Sequence, residues 1–207
     1  MLFPVFYQIP DFVQRLYRGV VWRKVVENKK VAYLTFDDGP VPEVTPAVLD
    51  ILKQYGAKAT FFMVGENAVK HPDLLERIRQ EGHAVGNHTY NHIKGWQLTT
   101  AQYMKNIRKA DEVLHTTLFR PPYGRMKHSE KKALLQNGYS IYYWDVLTHD
   151  YSKQYSCDKI VAIVKRFTRN GSIITFHDSI KSKESMLQAL PQVIQFLQQE
   201  GYELITL

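Results

Sequence analysis

Residues 31–40 read Val-Ala-Tyr-Leu-Thr-Phe-Asp-Asp-Gly-Pro and set the pattern for the whole chain. The first six of these residues are rich in β-branched and aromatic side chains, which predicts a buried strand. The Asp-Asp-Gly-Pro that follows is a turn signal, so we expect the strand to end there. A plain turn explains the glycine and the proline but leaves two adjacent carboxylates at a strand end unexplained.

The same alternation of short strand-like runs and longer helix-like segments continues to the C-terminus. The predicted strands cover residues 31–36, 60–64, 83–87, 118–119, 140–146, 172–176 and 203–207, and the predicted helices cover residues 44–55, 67–81, 99–117, 127–136, 158–168 and 186–199. Strands that alternate with helices predict an α/β protein with a mainly parallel sheet. The sheet is either closed into a (β/α) barrel or open and doubly wound.

The composition is that of one globular domain. The chain has 207 residues, of which 44% are hydrophobic and 23% charged, so disorder and coiled coil are excluded for the whole chain. The single cysteine, Cys157, excludes an intramolecular disulfide and a thiolate zinc cluster. The net charge of +7 is concentrated in residues 1–30, which hold six basic and two acidic residues. Since nucleic-acid binding proteins concentrate Lys and Arg on the working face, the nearly neutral body predicts no nucleic-acid partner.

Residues 1–30 form a basic, aromatic extension that we expect to pack on the domain of residues 31–207. The apolar residues within 12–26 recur at helical spacing, which favours a packed helix, with a weak peripheral membrane contact as the alternative. No stretch approaches the roughly 18 apolar residues of a spanning helix. Pro4 and Pro10 interrupt any signal-peptide apolar region, so we expect a cytoplasmic protein, and we expect it to be a monomer.

Polar side chains follow five of the predicted strands. They are Asp37-Asp38, His88, Arg120, Asp150 and His177. In both candidate architectures the chemistry collects at the carboxyl ends of the strands. The pattern therefore predicts one polar site built from five segments of the chain.

Two of the histidines have the spacing of metal ligands. His88-Thr89-Tyr90-Asn91-His92 places two imidazoles four residues apart, which puts them on one face if the segment is helical. Two histidines and a carboxylate are a common catalytic zinc set, and either Asp37 or Asp38 can supply the carboxylate. Because successive residues point in different directions, the other aspartate would face the substrate and accept a proton from the attacking water. The residues predict a metal hydrolase.

The ordered motifs resemble those of the polysaccharide deacetylases, the NodB-homology group of carbohydrate esterase family 4. They are Thr-Phe-Asp-Asp-Gly-Pro (35–40), His-Thr-x-x-His (88–92), Arg-x-Pro-Tyr-Gly (120–124), Trp-Asp-Val-x-x-x-Asp (144–150) and His-Asp (177–178). The resemblance covers about residues 31–207. It implies a distorted (β/α)7 barrel that acts on an acetylated carbohydrate. It also implies one divalent metal ion, for which Zn2+ is the first candidate and Co2+, Ni2+ and Mn2+ are the others.

The resemblance also implies which residues bind the metal and which one activates water. Asp38, His88 and His92 match the metal ligands of the family. Asp37 matches its general base. Arg120 matches the arginine that orients this base.

Further roles follow from the same resemblance. His177 matches the general acid, and Asp150 matches the aspartate that tunes it. The backbone N–H of Tyr123 matches the group that stabilises the oxyanion together with the metal. We expect Trp144 and Tyr151 to contact the substrate.

Three positions depart from the family pattern. Leu147 stands where the family usually has aspartate, Tyr151 where it has tryptophan, and Thr175 where it has leucine. We expect these positions to shape the acetyl pocket and the wall beside the acid. They would change acyl or sugar preference and leave the metal and the base untouched.

The expected activity is hydrolytic removal of N-acetyl groups from an amino sugar in a polysaccharide, an oligosaccharide or a glycoconjugate. One alternative is an O-acetyl esterase of the xylan type, which would use the same metal and base. An ester has a better leaving group, so that reaction would depend less on His177. The second alternative is a carbohydrate-binding barrel that keeps the metal ligands without turnover.

Overall fold

The computed structural model describes residues 7–207, and residues 1–6 of the predicted N-terminal extension lie outside that range. The strands are β1 (Val31–Asp37), β2 (Ala59–Met63), β3 (Ala84–Asn87), β4 (Leu118–Phe119), β5 (Ser140–Ile141), β6 (Val146–Leu147), β7 (Ser172–His177) and β8 (Glu203–Leu204). The helices are α1 (Asp11–Leu16), α2 (Thr45–Gln54), α3 (Gly65–Lys70), α4 (Pro72–Gln80), α5 (Thr100–Leu114), α6 (His128–Gln136), α7 (Cys157–Phe167) and α8 (Lys183–Gln199).

The strands form one curled parallel sheet with helices packed against it, which confirms the predicted α/β barrel class. The strand order is β5-β4-β3-β2-β1-β7-β6, and β8 pairs with β1. Every residue of the central strand β1 is buried. The Phe36 ring of β1 stacks between Phe61 and Phe176, with ring centroids 5.0 and 5.8 Å away.

The register of the central strands brings polar residues together at the carboxyl ends of the strands. Asp37, the last residue of β1, is the Cα partner of His177, the last residue of β7. Asn87, which ends β3, pairs with Met63 at the end of β2. The residues of the first, second and fifth motifs are therefore close together at the carboxyl ends of neighbouring strands.

Two predicted elements are each split in the structure. The helix predicted over 67–81 is divided into α3 and α4 at Pro72, which has no N–H to continue the first helix. The strand predicted over 140–146 is divided into β5 and β6. Tyr142 N–H donates to the carbonyl of Phe119 in β4, whereas Asp145 N–H donates to the carbonyl of Ile173 in β7. The segment between the two thus passes from one edge of the sheet to the other.

The single helix predicted within residues 12–26 is wrong, because α1 ends at Leu16. Val21 instead lies alongside the edge of the sheet, where its N–H donates to the carbonyl of Ile141 and its carbonyl accepts from Tyr143 N–H. Trp22 is buried against Tyr143, with ring centroids 4.5 Å apart. Residues 21 and 22 are therefore held by pairing with the sheet and by burial of the Trp22 ring instead of by a helix. Within residues 7–207, none of the helices has the length and apolar character needed to cross a membrane.

The N-terminal segment is attached to the domain through the buried carboxylate of Asp145. Gln8 and Gln14 donate to its two oxygens from the segment. Arg169 and Ser172 donate to the same carboxylate from the domain, at 2.7 Å each. A fully buried carboxylate needs such partners, because an unpaired buried charge is costly.

Candidate active site

A cavity of about 760 Å3 opens at the carboxyl ends of the strands. Eight of the ten residues predicted for the site line it: Asp37, Asp38, His88, His92, Tyr123, Trp144, Tyr151 and His177. The other two, Arg120 and Asp150, lie behind the cavity wall and are hydrogen-bonded to Asp37 and His177. The structure thus brings all ten residues into one site.

Asp38, His88 and His92 form a cluster that fits a divalent metal ion. One donor atom from each residue lies within 4.8 Å of the others. Nε2 of His92 is 3.3 Å from Oδ1 of Asp38, and Nε2 of His88 is 3.8 Å from the same oxygen. Two imidazoles and one carboxylate are a zinc donor set that leaves further positions open. Of the two adjacent aspartates, Asp38 is the one beside the histidines.

The hydrogen bonding of His88 prepares it as a ligand. Its Nδ1 lies 2.8 Å from the carbonyl oxygen of Arg120. Because a carbonyl only accepts, Nδ1 must carry the proton, and Nε2 keeps its lone pair for a metal. Burial lowers the pKa of His88 to about 4, so the imidazole is neutral at physiological pH.

The segment of residues 88–92 is not a helix, so the predicted reason for the convergence of its histidines is wrong. Thr89 and His92 have left-handed backbone conformations, with φ of 67° and 54°. Asn87 holds this turn by accepting from Thr89 N–H at 2.7 Å and donating to Asp111 at 2.6 Å. The turn brings the rings of His88 and His92 to a centroid separation of 5.1 Å.

Asp37 is held as a carboxylate by a buried arginine. Nη1 of Arg120 lies 2.6 Å from Oδ1 of Asp37, and both side chains are buried. The guanidinium also donates to Thr35 Oγ1 at 2.8 Å and to the carbonyl of Tyr143 at 3.0 Å. Burial alone would raise the pKa of Asp37, but the charge of Arg120 and the nearby His88 and His177 hold it below its ordinary value. An ionised carboxylate facing the cavity can accept a proton.

Thr175 does not shape the cavity as expected. The residue is fully buried, and its hydroxyl lies 3.1 Å from that of Thr35, the same group that accepts from Arg120. Thr175 therefore belongs to the buried polar layer under Asp37. Leu147 and Tyr151, the other two departures from the family pattern, do line the cavity.

His177 lies beside Asp37 on the neighbouring strand β7 and is hydrogen-bonded to a second buried carboxylate. Nδ1 of His177 lies 2.8 Å from Oδ1 of Asp150, and its backbone N–H donates to Oδ2 at 2.8 Å. Burial would lower the pKa of His177, but the charge and hydrogen bond of Asp150 raise it to about 9. The imidazole is therefore protonated at neutral pH, with Nε2 left to act on a ligand. Tyr151 packs edge-on against the ring at a centroid distance of 4.9 Å.

The Tyr123 turn approaches the metal cluster from the third motif. Tyr123 has a left-handed conformation, and the turn is closed by the N–H groups of Gly124 and Arg125, the two residues that follow it. Its exposed ring lies 4.7 Å from that of His92. Gly124 is required here, because a Cβ at its φ of +61° would lie 2.4 Å from the ring of Trp144.

Asp178 shapes the Asp37–Asp38 turn, a role that sequence reasoning missed. Its carboxylate accepts from Gly39 N–H at 3.0 Å and from Thr45 Oγ1 at 2.6 Å. A Cβ on Gly39 would lie 1.9 Å from this carboxylate, which explains the glycine after the two aspartates. Burial raises the pKa of Asp178 to about 8, and the charge of Asp38 adds to this effect. Its position directly after His177 in the last motif was the available signal.

Five more residues that sequence reasoning left without a role line the cavity. They are Lys94, Trp96, Arg125, Ser179 and Lys181. Each lies a few residues after one of the motifs, so adjacency to a motif was the signal. Three of them are cationic and Trp96 is aromatic, so they add positive charge and an aromatic ring to the cavity that holds Asp38, His88 and His92.

Comparison with known proteins identifies the family of this chain. A family model described as "Polysaccharide deacetylase" matches residues 24–142. The chain is 38% identical over 187 residues to a peptidoglycan-N-acetylglucosamine deacetylase of Bacillus cereus, and the match covers 87% of this chain and 68% of that relative.

Solved structures share the fold over nearly the whole chain. A peptidoglycan N-acetylglucosamine deacetylase in complex with 4-naphthalen-1-yl-N-oxidanyl-benzamide superposes with a TM-score of 0.87 at 35% identity, covering 95% of this chain and 94% of that chain. A pseudoenzyme of the CE4 family from Bacillus anthracis superposes with a TM-score of 0.82 at 25% identity, covering 94% and 69%. Since a pseudoenzyme has the same fold, the case for turnover depends on the residues of the site.

Proposed function

Because this chain belongs to the polysaccharide deacetylase family, we propose that it hydrolyses N-acetyl groups on an amino sugar within a glycan. One observation carries the proposal. Asp37 and His177 are register partners that face one cavity beside the Asp38–His88–His92 cluster. Their buried partners shift their pKa values in opposite directions, which leaves one a base and the other an acid at neutral pH.

The metal ligands in this proposal are Asp38, His88 and His92, and zinc is the proposed ion. A divalent ion held there would lower the pKa of a bound water and polarise the acetyl carbonyl. The donor set fits, because His88 is neutral and its Nδ1 is already committed to the Arg120 carbonyl.

Asp37 accepts the proton of the attacking water as the new C–O bond forms. Arg120 keeps this carboxylate ionised and fixes its direction through the 2.6 Å hydrogen bond. The backbone N–H of Tyr123 donates to the oxygen that becomes negative. One such donor typically contributes about 10²–10³ in rate.

His177 gives a proton to the nitrogen of the departing amine as the C–N bond breaks. Asp150 holds the ring through Nδ1, so Nε2 is the nitrogen that delivers the proton. An amide needs this step because an unprotonated amine is a poor leaving group. The products are acetate and the free amino sugar.

Asp150→Asn should move the alkaline limb of kcat/KM to lower pH. The acid form of His177 is the active one, so activity falls as pH rises through its pKa, which is about 9 in the intact site. Without the Asp150 charge, burial dominates, and the pKa moves toward or below the ordinary value of about 6.5. The pH profile of acetate release measures this shift. Asp158→Asn, which removes an exposed carboxylate on α7, is the control and should leave the limb in place.

Acetate release from a panel of acetylated glycans tests the proposed function. The panel contains N-acetylated chito-oligosaccharides, peptidoglycan fragments and O-acetylated xylo-oligosaccharides, each incubated with zinc-loaded protein. We expect release from the N-acetylated substrates. Release from the O-acetylated xylan alone would transfer the protein to the esterase class. The cytoplasmic location and the monomeric state remain predictions.

A further inference from the structure

One edge of the cavity combines two cations with two aromatic rings. We call Lys94, Trp96, Tyr123 and Arg125 the basic aromatic edge. Nζ of Lys94 lies 5.8 Å from the centroid of the Tyr123 ring, and the Arg125 guanidinium lies 5.7 Å from that of Trp96. The two rings meet edge-to-face at 5.5 Å. These contacts join the four residues into one surface.

The cations of this edge are not neutralised by the protein. Both side chains are exposed, and among residues 7–207 no carboxylate lies within 4.0 Å of either charge. Of the two aspartates that line the cavity, Asp37 is paired with Arg120, and Asp38 lies beside His88 and His92. The basic aromatic edge therefore exposes two positive charges that can pair with an anionic ligand in the cavity.

The edge lies directly beside the metal cluster. The Tyr123 ring is 4.7 Å from that of His92, and Lys94 and Arg125 line the same cavity as the cluster. Aromatic faces suit the apolar faces of sugar rings, and a guanidinium matches the geometry of a carboxylate or a phosphate. The ligand that fits all four residues is a sugar with an anionic substituent.

We propose that the basic aromatic edge binds an anionic substituent, a carboxylate or a phosphate, on the sugar that adjoins the N-acetylated one. This inference rests on the proposed deacetylase function and names the class of glycan: an acidic heteropolymer rather than a neutral homopolymer. Lys94 and Arg125 determine specificity and take no part in the chemistry. We expect the two residues to contribute to KM and to product affinity. Added salt should weaken this contribution, because both charges are exposed.

Matched glycan pairs test this proposal by equilibrium binding to the wild-type, zinc-loaded protein. The first pair is an N-deacetylated tetrasaccharide with 3-O-lactyl carboxylates and the same compound with those carboxylates capped as amides. The second pair is an N-deacetylated chitotetraose with and without a 6-phosphate. These ligands carry no acetyl group, so binding is measured without turnover and does not depend on the proposed activity. The same pairs in N-acetylated form give kcat and KM separately.

We expect the anionic member of a pair to bind more tightly, and the ratio shows whether the group is the carboxylate or the phosphate. Arg125→Gln and Lys94→Gln should each reduce the preference about 5-fold, the upper end for an exposed ion contact, with kcat unchanged. Lys53→Gln, which removes an exposed charge on α2 outside the cavity, should reduce nothing. Equal binding of both members of both pairs, or a preference that survives the double variant, would overturn the proposal. Loss of acetate release with the preference intact would overturn only the deacetylase function.

Discussion

Asp37→Asn should lower kcat for acetate release by about 10²–10⁴-fold, the usual contribution of a positioned base, and leave zinc binding at its wild-type stoichiometry. The amide oxygen can still accept from Arg120, as Oδ1 of Asp37 does at 2.6 Å, but the group cannot take a proton. The three proposed metal ligands are unchanged, and KM should change little. Steady-state kinetics together with zinc analysis of the purified variant measures both quantities.

Two controls make the Asp37→Asn result specific. Asp50→Asn removes an exposed carboxylate that pairs with Arg77 and should keep full activity. Asp38→Asn should lose zinc together with activity, because Asp38 lies beside both histidines. If Asp37→Asn kept more than about a tenth of the wild-type kcat, Asp37 would not be the base. If it lost zinc, the division of roles between the two aspartates would be wrong.

Arg120→Met should destabilise the protein by about 3–5 kcal/mol at neutral pH, because it leaves the buried Asp37 charge uncompensated. The variant also loses the donors to Thr35 and to the Tyr143 carbonyl. In the wild type the pKa of Asp37 is depressed, so its contribution to stability is present above the unfolded value of about 3.9 and is lost as pH falls through the folded value. Without Arg120, burial raises the pKa of Asp37, so the carboxyl of the variant takes up a proton at a higher pH than in the wild type. The difference in unfolding free energy should therefore narrow as pH falls through this raised pKa. Urea unfolding at several pH values measures it.

The double variant Arg120→Met/Asp37→Asn separates the charge from the lost packing. If an uncompensated carboxylate causes most of the loss, the double variant should be more stable than Arg120→Met alone. A double variant whose loss equals the sum of the two single losses would contradict the pairing. Acetate release cannot replace the stability measurement here, since both residues belong to the proposed catalytic site.

The sequence predicted that the polar residues would come together, because Asp37 and His177 end strands and His88 and Arg120 directly follow them. In the structure β1 pairs with β7, so Asp37 and His177, the last residues of these two parallel strands, are neighbours. The order of the five motifs then gave Arg120 and Asp150, which the structure places behind these two residues. Backbone pairing fixes the positions of the strand ends, and the strands themselves could be predicted from the pattern of β-branched and aromatic residues.

Features that depend on loop conformation could not be predicted in the same way. The histidines of residues 88–92 converge through two left-handed residues and the side chain of Asn87, and no helical periodicity encodes that turn. Asp178 acts through Gly39 and Thr45, partners more than 100 residues away in the chain. Apolar spacing in residues 12–26 suggested a helix, but pairing of Val21 with the sheet competes with helix formation and prevails. Such long-range contacts are decided by the folded structure and are not visible in local sequence.

The central claim is that one metal ion, held by Asp38, His88 and His92, is needed for removal of an N-acetyl group. The most direct test is acetate release from an N-acetylated oligosaccharide by chelator-treated protein to which zinc is returned stepwise. We expect no release without metal, and a rate that rises linearly and stops rising at one zinc per chain. Release at the full rate from the metal-free protein, or one bound zinc with no release from any acetylated glycan, would contradict the claim.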